Sequence, residues 1–210
     1  MIVSHRHKFI FIKTGKTAGT SMEIALSQIC GEDDIITPIS PRDENSRREL
    51  GFRGPQNTIV NGETLVNHDR PPRIRAVLGD DVWSRYFKFT IERNPFDRAI
   101  SLYWQLIRRE RPPGPIGEIL ATTPERRLSN WTFYAVNDRI VVDHIMRYES
   151  LPDELRALEV RFGFGPLNMI RAKGGHRQDR RPYREVLGPA ERALIERVCA
   201  RELAHFGYRW

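Results

Sequence analysis

Apolar residues fall into two patterns along this chain, short continuous runs and helical repeats. The runs cover 9–12, 87–91 and 140–146, and each predicts a buried strand. Repeats at intervals of three and four residues occupy much of the remaining sequence and predict helices. The predicted helices cover about 20–30, 43–50, 71–78, 95–110, 124–130, 152–162 and 189–204. Thr20 or Ser21 is expected to cap the first helix, and Asn94 followed by Pro95 the helix over 95–110.

The alternation of strands and helices predicts an α/β fold with a central parallel sheet flanked by helices on both faces. The length of 210 residues suits one domain, predicted over 1–210. Two segments, 32–67 and 171–184, are polar and rich in turn residues, and both are candidate lids over a cofactor or an acceptor.

The charge of the chain favours an anionic partner, since the formal net charge is +7 at pH 7. Cys30 and Cys199 have no CxxC neighbours and are expected to be buried free thiols. No apolar run is long enough for a secretory signal or a membrane span. These features predict a cytoplasmic protein.

A loop of lysine, glycine and hydroxyl residues, Lys13–Ser21, follows the first apolar run and leads directly into a predicted helix. In such a layout, main-chain N–H groups and the positive end of the helix dipole surround an anion, and a lysine adds a full charge. The loop therefore predicts a phosphate site.

A second strand, basic turn and helix occupy residues 88–103. Arg93 ends the strand, and Ser101 lies eight residues later in the helix, where the two side chains could hold one phosphate. The alternative is that Arg93 is a surface residue and Ser101 only a small helical one. The two elements together predict a ligand with phosphates at both ends.

Gly15-Lys16-Thr17 also resembles the end of a nucleotide-binding Walker A loop. That loop requires a glycine where this chain has Ile10, and no strand ends in an aspartate suited to Mg²⁺. A nucleotide-dependent kinase of the P-loop type remains the alternative enzyme. A basic nucleic-acid-binding module is a third possibility, but no helix-turn-helix, RNA-binding sheet or zinc-finger pattern supports it.

The two elements resemble the cofactor-binding motifs of the sulfotransferases, which use 3′-phosphoadenosine 5′-phosphosulfate (PAPS). The matching segments are 16–21, Arg93 to Arg98 with Ser101, His68, 147–149 and 206–208. The similarity is greatest to the bacterial carbohydrate-sulfotransferase-like group, related to the heparan sulfate 2-O-sulfotransferases. It implies a P-loop-like three-layer fold. One departure is Thr14-Gly15, where family members commonly have a proline.

The resemblance implies a role for each matching residue. Lys16 would contact the oxygen between phosphate and sulfate and act in catalysis, and Arg93 with Ser101 would hold the 3′-phosphate. A basic loop with Arg171 and Lys173 would close over the same phosphate, although a plain solvated run is the alternative. Main-chain amides and hydroxyls of the first loop would hold the 5′-phosphosulfate, namely those of Thr17, Ala18, Gly19, Thr20 and Ser21.

The acceptor hydroxyl needs a base, and His68 is the candidate because a neutral imidazole is available near pH 7. Asp69 could orient it or could be a turn residue, and Glu23 is the rival base. The predicted reaction moves a sulfuryl group from PAPS to a hydroxyl, most plausibly on a glycan, and leaves 3′,5′-bisphosphoadenosine. No metal, nucleic acid or membrane span is expected, and the sequence does not indicate the oligomeric state.

Overall fold

The protein is described by a computed structural model covering residues 1–170 and 178–210. Contacts divide the described chain into two compact units. The first unit contains residues 1–14, 18–92 and 132–170, and the second contains 15–17, 93–131 and 178–210. The single domain expected over 1–210 stays a prediction.

All nine strands of the described chain lie in the first unit. They are β1 (Ile2–Ser4), β2 (Phe9–Phe11), β3 (Ile35–Ile36), β4 (Ile59–Val60), β5 (Glu63–Thr64), β6 (Phe87–Glu92), β7 (Ala135–Val136), β8 (Arg139–Ile140) and β9 (His144–Arg147). Five of them form one sheet in the order β3-β1-β2-β6-β9. Two separate hairpins, β4-β5 and β7-β8, complete the set.

The central sheet is mixed, so the predicted parallel sheet is only partly correct. Strands β2, β6 and β9 run parallel, with Phe11 opposite Phe89 and Phe89 opposite His144. Strand β1 runs antiparallel to both β2 and β3. The sequence analysis missed β1 because Ile2–Ser4 offers only two apolar residues before the turn at His5–Lys8.

The predicted strand over 140–146 is wrong in its extent. Its first residue belongs to the β7-β8 hairpin, whose turn residues Asn137 and Asp138 both have positive φ. The chain then enters the sheet only at His144. A β-branched run alone did not reveal that the chain bends between the two strands.

The helices lie in both units. In chain order they are α1 (Gly19–Ser27), α2 (Pro41–Glu49), α3 (Pro71–Leu78), α4 (Asp80–Arg85), α5 (Pro95–Arg109), α6 (Ile116–Ala121), α7 (Glu125–Leu128), α8 (Leu151–Phe162), α9 (Tyr183–Val186), α10 (Pro189–Val198) and α11 (Ala200–Phe206). Within the described residues, none of these helices is long and apolar enough to cross a membrane.

The core of the first unit lies between the sheet and two helices. Phe9, Phe11, Phe89 and Ile91 of β2 and β6 are buried against apolar side chains of α1 and α8. The same cluster includes Cys30, which is a buried free thiol as predicted. This packing holds α1 against the sheet, with residues 12–18 between β2 and the helix.

The second unit has a separate helical core. Helix α5 begins where Asn94 accepts a hydrogen bond from the Phe96 amide at 3.0 Å, the predicted cap followed by proline. Its apolar face packs against α6, α7 and α10, with Cys199 buried and free in the same cluster. The single helix predicted over 189–204 is interrupted at Cys199, which separates α10 from α11.

The segment 32–67 contains more regular structure than its polar sequence suggested. Helix α2 occupies the position of the helix predicted over 43–50. The β4-β5 hairpin turns at Asn61-Gly62, where both residues have positive φ, a turn that the Asn-Gly pair favours. The lid role of this segment stays a prediction.

Candidate functional site

His68 is held in a fixed orientation in the first unit. Its Nδ1 lies 3.1 Å from the main-chain oxygen of Lys13. Because a carbonyl oxygen can only accept, the hydrogen bond requires a proton on Nδ1, and the lone pair of the neutral ring is then on Nε2. The ring also meets Phe133 edge to face, with the centroids 5.9 Å apart.

The surroundings of His68 favour the neutral imidazole. The residue keeps an exposed surface, but nearby protein atoms desolvate the ring and the Lys13 ammonium repels a second positive charge. Together these effects lower the pKa of His68 from about 6.5 to about 4. A neutral ring with a free Nε2 lone pair can accept a proton near pH 7.

Asp69 does not orient the His68 ring. Its carboxylate accepts from the Val66 amide at 2.8 Å and lies 3.3 Å from the Arg73 guanidinium. It therefore stabilises the turn that carries His68, and the ring is held by Lys13 instead.

Glu23, the rival base, forms two buried ion pairs. Its carboxylate contacts both the Lys13 ammonium and the amino group of Met1, and the side chain has no solvent exposure. Burial raises the pKa of Glu23, but the two cations and their hydrogen bonds together lower it below its ordinary value. This arrangement gives Glu23 and Lys13 a structural role.

The N-terminus of α1 lies in the predicted phosphate loop. The N-cap is Ala18, in the left-handed region at φ 65°, so the expected cap from Thr20 or Ser21 is wrong. Both of those residues lie inside the first helical turn and are buried. Because alanine has no side-chain acceptor, the N-cap residue makes no side-chain bond to the first amides of the helix.

Gly19 is required by a close approach within the first unit. A Cβ atom at this position would lie 2.7 Å from Cγ of Lys13. The glycine therefore lets α1 begin directly over the buried Lys13 side chain.

The second unit brings Lys16 and Arg93 together, although they are 77 positions apart in the sequence. Nη1 of Arg93 lies 3.4 Å from the main-chain oxygen of Lys16, and the same guanidinium forms an ion pair with Asp97. The Lys16 ammonium donates to Oε1 of Gln105 at 2.9 Å. Gln105 and Ser101 are four residues apart on α5 and so lie on one face of the helix. Residues 15–17 therefore lie beside Arg93 and beside helix α5.

Asn130 is a contact of the loop that the sequence analysis missed. Its Oδ1 accepts from the Gly15 amide at 3.0 Å, and its Nδ2 donates to the Gly15 oxygen at 3.1 Å. Thr17, the remaining loop residue in this unit, is buried. A lone asparagine after a short helix gives no sequence signal for a contact 115 residues away.

Two further residues of the predicted site, Arg171 and Lys173, lie outside the described residues. No group of histidine, cysteine and acidic residues in the parts of the chain that the structure covers could hold a metal ion.

Comparison with known proteins identifies the class. The model of the sulfotransferase family matches residues 1–132, well over half of the chain, so the protein belongs to this family. A solved sulfotransferase from Alicyclobacillus acidocaldarius is similar at 18% identity and a TM-score of 0.46, over 95% of this chain and 96% of that chain. A search of curated proteins finds no match.

Proposed function

We propose that this protein transfers the sulfuryl group of PAPS to a hydroxyl group of a carbohydrate acceptor. Membership of the sulfotransferase family supports the reaction class. The donor, the acceptor class and the residue roles are the proposal.

The contact between Arg93 and Lys16 carries this proposal. Each residue belongs to one of the two predicted phosphate-binding elements, and the 3.4 Å contact makes these parts of the second unit adjacent. A cosubstrate with phosphate groups on both the 3′ and the 5′ oxygen of its ribose needs such a pair of cationic elements. PAPS has this charge distribution, whereas ATP has phosphates on the 5′ oxygen only.

The donor set of the first loop suits a phosphosulfate group. Residues 14–21 offer hydroxyl groups, main-chain amides and one ammonium, and they contain no carboxylate. Lys16, Thr17, Ala18, Gly19, Thr20 and Ser21 would hold the 5′ end. Arg93 and Ser101 would hold the 3′-phosphate, with Arg171 and Lys173 as further candidates.

Bound PAPS supplies the sulfuryl group, so that an oxygen–sulfur bond to the acceptor forms, the bond to the bridging oxygen breaks, and 3′,5′-bisphosphoadenosine is left. His68 accepts the acceptor proton on Nε2, the nitrogen that Lys13 leaves available. The Lys16 ammonium stabilises the negative charge that develops on the bridging oxygen, an interaction stronger in the transition state than in the ground state.

The surroundings of His68 favour a carbohydrate acceptor. Arg70 donates through Nε to the Thr132 hydroxyl at 3.0 Å, and its guanidinium lies 5.0 Å from the centre of the Phe133 ring. A cation, a hydroxyl group and an aromatic ring beside a base suit a polar acceptor rich in hydroxyl groups.

Transfer of radiolabelled sulfate from PAPS to a panel of glycans tests the proposal, with mass spectrometry to locate the added group. We expect one or more glycans to gain a sulfate, and His68→Ala to abolish the gain. Phosphate transfer from Mg·ATP without sulfate transfer would contradict the proposal and support the kinase alternative.

A further inference from the structure

The main-chain N–H and the main-chain oxygen of Gly15 are both hydrogen-bonded to a single side chain. The side-chain amide of Asn130 accepts from the Gly15 N–H at 3.0 Å and donates to the Gly15 oxygen at 3.1 Å. Asn130 is only 2% exposed, so both bonds are shielded from water. A Cβ atom on residue 15 would lie 3.2 Å from Oδ1 of Asn130, which explains why a glycine suits this position.

Asn130 is itself fixed by a buried carboxylate. Oε1 of Glu202 accepts from the main-chain N–H of Asn130 at 3.0 Å and from the Ser129 hydroxyl at 2.6 Å. Glu202 is 1% exposed, and Nη2 of the equally buried Arg98 lies 3.8 Å from the same oxygen. Burying two charges is costly unless they are paired and hydrogen-bonded. The Glu202 carboxylate therefore fixes the backbone of Asn130 and the side chain of Ser129.

The conformation of Lys16 depends on its neighbours. Lys16 has φ 63°, a left-handed conformation that is strained for a non-glycine residue and persists only where the surroundings enforce it. The Asn130 bonds fix the residue before it, and Arg93 contacts its main-chain oxygen. The direction in which the Lys16 side chain leaves the loop is thereby determined.

We propose that Asn130, supported by Glu202, is a positioning residue for the 5′-phosphosulfate. By holding Gly15, it sets the left-handed turn at Lys16 and so the place of the ammonium that faces the bridging oxygen. This inference rests on the proposed function, because the role of Lys16 does. Asn130 itself does not touch the cosubstrate in this proposal.

The proposal predicts different effects on the binding of the 5′-phosphate and of the 3′-phosphate. An altered loop at Gly15 should weaken binding of a 5′-phosphate. The Arg93 guanidinium is also held by its ion pair with Asp97, so the 3′-phosphate contacts of Arg93 and Ser101 should stay in place. 3′,5′-Bisphosphoadenosine carries both phosphates, and adenosine 3′-phosphate lacks the 5′ group. The ratio of their affinities therefore reports on the loop, whereas a general loss of structure would lower both affinities together.

Calorimetry with these two nucleotides tests the proposal on the full chain. For Asn130→Ala we expect affinity for 3′,5′-bisphosphoadenosine to fall about tenfold or more, as for the loss of one charged hydrogen bond from Lys16 to the 5′-phosphate. Affinity for adenosine 3′-phosphate should be unchanged. Asn130→Asp, which keeps an acceptor for the Gly15 amide but loses the donor, is a second variant should the first fail to fold.

Two further variants serve as controls, and a third repeats the test at Glu202. Thr123→Ala removes a buried hydroxyl bond to the Ile119 oxygen in the same unit, and it should lower stability without changing the affinity ratio. Glu202→Gln keeps an oxygen for Ser129 and Asn130, so it should preserve the ratio even if the melting temperature falls. Glu202→Ala should reproduce the effect of Asn130→Ala.

An unchanged ratio in both Asn130 variants, or parallel losses for the two nucleotides, would show that Asn130 is only structural. Wild-type protein that binds neither nucleotide would overturn the proposed function and this inference with it. The two failures are therefore distinguishable.

Discussion

Nδ1 of His68 lies 3.1 Å from the main-chain oxygen of Lys13. Lys13 is the second residue after the end of β2. This hydrogen bond holds the candidate base against the main chain of Lys13 within the first unit. It also selects the tautomer, since the bond needs a proton on Nδ1 and leaves Nε2 as the proton acceptor.

The pH dependence of turnover follows from the lowered pKa of His68. Because that pKa is about 4, the imidazole should stay neutral over the whole range in which an ordinary histidine titrates. We expect kcat/KM to be flat from about pH 8 to about pH 5.5 and to fall only below that. A fall centred near the ordinary histidine pKa of about 6.5 would contradict this environment for the base.

Lys16 should be needed for turnover more than for folding. In Lys16→Ala we expect a loss of about 100- to 1,000-fold in kcat, the usual effect of removing one group that stabilises developing charge. Arg126→Ala is the matched control, because it removes an exposed positive charge from the same unit. Sulfate transfer by Lys16→Ala at the wild-type rate would disprove this role.

Lys13 should contribute to stability through Glu23. Lys13→Met keeps most of the aliphatic stem but removes the cation from a carboxylate that has no solvent exposure. Breaking a buried ion pair on one side typically costs about 3–5 kcal/mol in the free energy of unfolding. Urea denaturation measures the loss, and a change below about 0.5 kcal/mol, the range of surface substitutions, would argue against the ion group.

Gly19 should tolerate no side chain. In Gly19→Ala the new Cβ would meet Cγ of Lys13 at 2.7 Å, and overpacking of this kind costs about 1–3 kcal/mol. Gly54→Ala is the control, since nothing lies within 4 Å of a Cβ at that position. Equal melting temperatures for the two variants would show that the start of α1 can move away from Lys13.

The sequence predicted those elements whose signals are local. The Asn94-Pro95 cap starts α5, and the helix predicted over 71–78 is confirmed. Both depend on neighbouring residues. Strand direction depends on pairing between distant segments, and so the antiparallel β1 and the bend between β8 and β9 were missed.

The candidate site shows the same division. Lys16, Arg93 and His68 are candidates because residue type, spacing and the family resemblance suggest chemistry, and their roles stay predictions. Asn130 was missed because its contact with Gly15 spans 115 positions. The buried Glu202 behind it lies further still along the chain, and nothing near it in the sequence indicates the pairing with Arg98.

Calorimetric titration of the wild-type protein with 3′,5′-bisphosphoadenosine, adenosine 5′-phosphate and Mg·ATP tests the central claim most directly. If Arg93 and Ser101 hold the 3′-phosphate, the bisphosphate should bind about tenfold or more tightly than the 5′-monophosphate, as expected for a charged hydrogen bond. Mg·ATP should bind more weakly than the bisphosphate. Equal affinity for the first two nucleotides, or tighter binding of Mg·ATP, would contradict the account.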